Sequence, residues 1–503
     1  MLNLLTTPIR LRRSTEPLPD YAVNGLVGLG LIATGALIAV APLAAAVVVA
    51  FAFVALLLVY AEHLPRLFLH GTVAILAGYA LAGRGFAYVG WKPVFIGDLV
   101  LVVGILALFT RARGVRLQPL HGLIALFMLL GALRTFPYVT VYKVNAVRDG
   151  ALWGYCIFAL ALSAFVRIEH LRWAIERYRR FVPWLVAWIP IAATISILHL
   201  SPTWPNSGIS IIHFKGGDMG VHLTIAASFV LLGLYGYEKR QRGLRSESTL
   251  WLLWFVAVAP VVAMSRSSML SIGFGVVAAV ALRRSVRIVP FLLTAGALVT
   301  MLVLFNVSVP VGGGQNLSTT NLMQNVVSIV SNKQDQAGSG GSRQNLNGSK
   351  KFRLRWWTKV VDYTIHGPYF WKGKGFGLNL ADSDGFQLDS KHTLRAPHNS
   401  HITVLARMGV PGLVSWILLQ LTFAATMLAW SLRARRLGAR LWSLFDAWLL
   451  VAWAAIMIDT TFDPYLEGPQ GAIWLWSIVG VGIAAVGIQQ REFAAGRLRL
   501  EAA

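Results

Sequence analysis

The residues best suited to chemistry lie between Ala396 and Ser415, in Ala-Pro-His-Asn-Ser-His-Ile-Thr-Val-Leu-Ala-Arg-Met-Gly-Val-Pro-Gly-Leu-Val-Ser, where the longest hydrophilic segment meets an apolar run. Polar groups at such an edge are costly to keep without a use. His398 and His401 are three apart, so at a helix start they share a face. Imidazole titrates near neutral pH and can take a proton from a hydroxyl, which makes His398 a candidate general base. Its neighbours Asn399 and His401 are candidate substrate contacts. A His-x-x-His pair can also bind zinc, but no Glu stands between the two and no third ligand is apparent, so no metal is expected. The structural alternative is a histidine that stabilises a helix end by hydrogen bonding.

Three arginines could serve an anion. Arg266 lies in Met264-Ser-Arg-Ser-Ser-Met-Leu270, a short break between two apolar runs. Its guanidinium is always charged and its fork matches phosphate oxygens bidentately; the alternative is an interfacial arginine snorkelling to headgroups. Arg353 opens an amphipathic stretch and has interfacial anchoring as its alternative. Arg148 stands next to Asp149, which reads first as a structural pair; if Asp149 pairs elsewhere, Arg148 becomes a second anion clamp. Gly375 centres a Gly-x-Gly-x-Gly in His366 to Gly377, a weak phosphate-loop signal because glycine serves any tight turn. Asp463 and Glu467 form an acidic patch that could receive an acceptor's hydroxyls, though ion pairing with the basic loop is the favoured reading. No Walker loop, dinucleotide fingerprint or nucleophile elbow occurs, and no cofactor is expected.

The elements that must position these residues follow from composition. Of 503 residues 56% are hydrophobic and 13% charged, which excludes a soluble globular class and indicates an all-α polytopic membrane protein. The formal charge of +24 does not signal nucleic acid, since Arg and Lys cluster between apolar runs rather than along a soluble face. Cys156 is the single cysteine, so neither an intramolecular disulfide nor a sulfur-based metal site can form.

A helix needs about 20 apolar residues to cross a bilayer, which gives roughly fourteen spans, centred near residues 31, 51, 75, 101, 124, 158, 190, 228, 257, 275, 297, 415, 451 and 479. The first two read as a membrane hairpin, not a cleaved signal. Alternate loops are rich in arginine, from Arg10, Arg12 and Arg13 to Arg491, Arg497 and Arg499; the others hold only isolated cations such as Arg84, Arg134, Lys143 and Lys215. The positive-inside rule then puts both termini in the cytoplasm and the candidate site on the opposite face. The expected organisation is membrane helices over 1–305, a large external loop over 306–400, membrane helices over 401–490 and a cytoplasmic tail over 491–503. Within the loop, apolar residues at helical spacing over Leu317 to Val330 suggest one short helix, and Ser331 to Lys351 reads as flexible. Arg353 to His366 reads as an amphipathic helix with Leu354, Trp357, Val361 and Ile365 on one face, suited to a membrane interface.

The ordered set Ser265 to Leu270, Phe352-Arg-Leu-Arg-Trp-Trp357, Pro368 to Gly377 and His398 to Gly412 resembles the bacterial O-antigen ligase and polysaccharide polymerase superfamily over roughly Leu250 to Trp430. The resemblance implies a bacterial inner-membrane glycosyltransferase with a periplasmic site. Such an enzyme takes a saccharide from an undecaprenyl-diphosphate-linked donor to a sugar hydroxyl of a glycan acceptor, with inversion expected and without metal. Carried over, Arg266 holds the diphosphate, Arg353 assists, His398 acts as base or positions the acceptor, and Asn399 orients His398. The span number and Ala146 to Trp153 favour polymerisation of exopolysaccharide or O-antigen repeat units, with chain-length regulator or export proteins as candidate partners. The alternatives are ligation to lipid A core and, more remotely, transport of a lipid-linked glycan, which midplane charges and internal repeats would indicate.

Overall fold

A computed structural model describes residues 61–91, 94–111, 116–205, 207–237, 244–283, 288–304, 309–311, 315–317, 342–388 and 390–498. The chain divides after Glu62 into two compact units, and every element below belongs to the second, His63–Ala503. The two expected spans near residues 31 and 51, and almost all of the expected helix over 317–330, lie outside the described residues.

The helices are α1 (Leu64–Ala82), α2 (Ile96–Arg111), α3 (Pro119–Leu133), α4 (Val144–Gly154), α5 (Cys156–Phe165), α6 (Ile168–Ile197), α7 (Gly216–Leu231), α8 (Leu244–Met264), α9 (Arg266–Leu282), α10 (Ile288–Leu304), α11 (Ser342–Ile365), α12 (Ser400–Arg436), α13 (Arg440–Thr460) and α14 (Pro469–Ala494). Proline begins α3 and α14, where its missing N–H has no partner to lose. Strand among the described residues is confined to two small antiparallel ribbons, Gly90–Trp91 with Val94–Phe95 and Val309–Val311 with Gln315–Leu317. The fold is therefore helical. Every expected span centre from residue 75 onward falls inside one of these helices. Among the described residues six segments are long and apolar enough to cross a membrane: α1, Pro119–Tyr142, α6, α12, α13 and α14. The other apolar helices contribute apolar stretches of 10–17 residues, shorter than a full crossing of the hydrocarbon core.

Close backbone packing fixes the framework. α7 is buried at every position, Asp218 and His222 included. Gly216 and Gly220, four apart on α7, admit no side chain: a Cβ would stand 2.7 Å from that of Ser265 and 2.5 Å from that of Ser268. This small-residue seam brings α7 against α9, with Ser265, the residue before Arg266, set against Gly216 at the head of α7. Gly480 of α14 likewise lets the Ala159 carbonyl of α5 approach to 2.7 Å of where a Cβ would be.

The segment expected to form the external loop differs from expectation in two respects. α11 begins at Ser342, so part of the stretch read as flexible is helical. Its buried stripe is Trp356, Val360 and Thr364, each 0% exposed, while Leu354 and Ile365 are exposed. The first two pack on Leu380, Ala381, Leu405 and Ala406. Apolar residues lie on two faces of α11, and the one the fold buries is the one that its own loop and α12 can cover.

Candidate functional site

The His-Asn stretch is built by a helix cap. Asn399 precedes α12 with extended backbone, and its side-chain oxygen accepts from the N–H groups of His401 and Ile402 at 2.9 and 3.1 Å. That satisfies two otherwise unpaired donors. His398 thus stands outside the helix, in the left-handed region with φ 54°, a conformation rare for residues other than glycine, though histidine adopts it several-fold more readily than most. The expected shared face of His398 and His401 is corrected accordingly, because i, i+3 neighbours require both residues to be helical. His401 turns into the bundle, where its Nδ1 accepts from Trp416 Nε1 at 3.0 Å. Asn399 serves the helix rather than orienting the imidazole.

Around His398 the fold gathers charges from widely separated segments. Arg84, in the 3-10 turn after α1, donates to both oxygens of Asp218 at 2.8 and 2.9 Å and to Asp463 Oδ1 at 3.1 Å. Lys215 Nζ lies 3.3 Å from the same Asp463 oxygen. Arg353 Nη1 donates to the Phe462 carbonyl at 2.9 Å. Burial, and then the Arg353 charge, push the His398 imidazole down to about 4 against the opposing pull of Asp463. Burial alone would raise the Asp463 carboxyl, but Arg84 and Lys215 hold it below the usual carboxylate range. Burial also lowers the Arg353 guanidinium, offset in part by Asp463. Three cations thus face two carboxylates around a neutral imidazole. The arrangement can hold an anionic group and offer a ring nitrogen as proton acceptor beside it.

Arg148 and Gly375 belong to a second network. Asp149 Oδ2 accepts from Arg395 Nη2 and Arg407 Nη2, both at 3.0 Å, and from the Gly377 N–H at 3.2 Å, while half-exposed Arg148 reaches only Oδ1. Asp149 therefore pairs elsewhere as well as with its neighbour. The reading of Gly375 as a phosphate contact is corrected: the N–H groups of Gly373, Lys374, Gly375, Phe376 and Gly377 donate to Tyr369, Ala406, Arg407, Arg134 and Asp149, so the turn has none left for an anion. Its glycines serve conformation and close approach instead. Gly375 has φ 76°, and a Cβ there would lie 2.2 Å from the Tyr138 ring.

Of the residues singled out in the sequence, the structure brings Arg353 to His398, and Ser265, the residue before Arg266, to Gly216; the Arg266 side chain lies outside the described residues. Asp463 pairs with Arg84 and Lys215 rather than with the large loop. Glu467 is bonded to Thr403 of α12. Sequence reading missed Arg84, Lys215 and Asp218 as site residues. The signal was there: on a face with few charges, an arginine between glycines and a lysine ahead of Gly216-Gly217 are both conspicuous.

Residues 251–417 match the family model described as O-Antigen ligase, which supports membership of the O-antigen ligase and polymerase superfamily. The matched stretch contains Arg266, Arg353 and His398, whereas Arg84, Lys215, Asp218 and Asp463 come from outside it. No curated protein matches the chain.

Proposed function

We propose that this O-antigen ligase or polymerase-type membrane glycosyltransferase takes its saccharide from undecaprenyl diphosphate and joins it to a sugar hydroxyl at the periplasmic face, polymerising repeat units. The observation that carries the reading is the placement of His398, outside the start of α12, among Arg84, Lys215 and Arg353. A diphosphate leaving group develops negative charge as its bond to the sugar breaks, and preorganised cations in a partly dry site stabilise that charge without a metal. Arg353 and Lys215, with Arg266 at the head of α9, are the groups assigned to it. Arg84, held by two carboxylates, fixes Asp218 and Asp463 as the frame.

His398 receives the proton of the acceptor hydroxyl as the oxygen attacks the anomeric carbon. The new C–O bond forms on the side opposite the departing diphosphate, which leaves with the bonding electrons, so the centre inverts. In the free enzyme the imidazole is a weak base; the donor's negative charges beside it raise its pKa and make it a better one.

The test uses purified protein in lipid with an undecaprenyl-diphosphate-linked oligosaccharide. His398→Ala should slow product formation by about 10²–10⁴-fold, the range for removing a general base. Turnover equal to wild type in His398→Ala would refute the assignment. Ligation is the second reading, favoured by the description of the matching family. Donor alone should suffice for a polymer; product only on addition of lipid A core would favour ligation.

A further inference from the structure

Glu467 ends the short 3-10 turn Tyr465–Glu467 between α13 and α14, and its Oε1 lies 2.8 Å from Thr403 Oγ1 in the first turn of α12. The same Thr403 hydroxyl lies 3.0 Å from the carbonyl of Asn399. A threonine hydroxyl has one proton to give. Against an ionised Glu467, two acceptors would compete for that proton and one contact would be left between lone pairs. With Glu467 protonated both contacts are hydrogen bonds: the acid donates to Thr403 Oγ1, and Thr403 donates to Asn399.

We propose that Glu467 is held as a carboxylic acid whose proton ties this turn to the capped start of α12, and that losing the proton loosens the segment presenting His398. Glu467 is then a positioning residue acting through Thr403 and Asn399. The surroundings agree. Burial pushes the Glu467 carboxyl up to about 7, reinforced by Asp149 of α4 and by Asp463 on its own loop, while Arg407 of α12 and the Thr403 bond oppose. The other groups on the elements packed around the turn do not offset this: Arg148 of α4 is half-exposed and paired with Asp149, His401 of α12 is engaged by Trp416, Asp459 near the end of α13 is a further carboxyl, and α14 carries no charged residue before Arg491. The bond also accounts for a feature of the cap: Asn399 can hold its extended backbone because its carbonyl is fixed by both the N–H and the hydroxyl of Thr403.

Two measurements test this, and only the second rests on the transferase reading. Infrared spectra of the protein labelled with carbon-13 glutamate, recorded across neutral to alkaline pH, should show a protonated glutamate carbonyl band that fades as pH rises and is absent from Glu467→Gln. Absence of the band in wild type, or its persistence in Glu467→Gln, overturns the proposal whatever the protein's activity. In the transfer assay the glutamine amide can donate to Thr403 as the acid does. Glu467→Gln should therefore keep activity within about threefold at neutral pH and lose the alkaline decline that wild type shows. A folded Glu467→Gln protein that is inactive at neutral pH, or one with an unchanged alkaline decline, overturns it too. Should that variant not fold, the labelled wild-type spectrum alone still decides the protonation state.

Discussion

The imidazole of His398 is ordinary in type and unusual in setting. Its depressed pKa has a direct kinetic consequence. The neutral form is the competent one in the proposed reaction, and kcat/KM reports the free enzyme. Since burial and Arg353 push the group down to about 4 from the ordinary imidazole range, the neutral fraction persists as pH falls through 6 and 5. The acidic limb of kcat/KM for transfer should therefore lie well below pH 6, and Arg353→Gln should move it upward by removing a nearby positive charge. A limb at the ordinary imidazole value that is indifferent to residue 353 would mean that His398 is not so placed. The partners of His398 divide by role: Asn399 closes a helix and His401 supports the bundle. Adjacency in sequence did not make them one catalytic unit.

At the scale of elements, the site depends on how two segments end. α12 begins one residue after Asn399, which leaves His398 outside the helix. The same helix is interrupted at Gly409, where φ 68° and ψ −167° break the helical path. There the Val410 N–H turns to the Phe370 carbonyl at 2.8 Å. The Gly373 to Gly377 turn docks onto this region through the backbone bonds to Ala406 and Arg407. Gly375→Ala would place a Cβ against Tyr138 and force a non-glycine residue to φ 76°, strain of about 1–3 kcal/mol before any clash. The variant should lower the thermal midpoint in detergent while leaving the KM for donor in the surviving folded fraction near wild type. A raised donor KM with an unchanged midpoint would restore the phosphate-loop reading rejected here.

Over the whole molecule, Arg84 is the tie that the local pieces require. It joins the turn after α1 to Asp218 near the head of α7 and to Asp463 between α13 and α14, with side-chain exposures of 15%, 3% and 15%. Removing one partner of such a buried arrangement leaves carboxylates uncompensated, at about 3–5 kcal/mol. Arg84→Ala should thus destabilise the protein by that order in thermal unfolding and depress transfer even though Arg84 is not assigned to the reacting atoms. Unchanged stability and activity would show that the pairs are not the frame of the site. By itself the sequence determined the helical membrane class and the positions of helices from residue 75 onward, and it singled out Arg353 and His398, which the fold brings together. These follow from local hydrophobicity, charge placement and motif order, which chain-local physics can reveal. It could not disclose that Arg84, Lys215 and Asp463, hundreds of residues apart, share one carboxylate oxygen, or that the glycine turn has spent all its N–H groups. Nor could it choose which of two apolar faces α11 would bury. Those outcomes depend on which helices lie side by side, and only the packed structure decides that, because each ion pair and each covered face needs a partner from elsewhere in the chain.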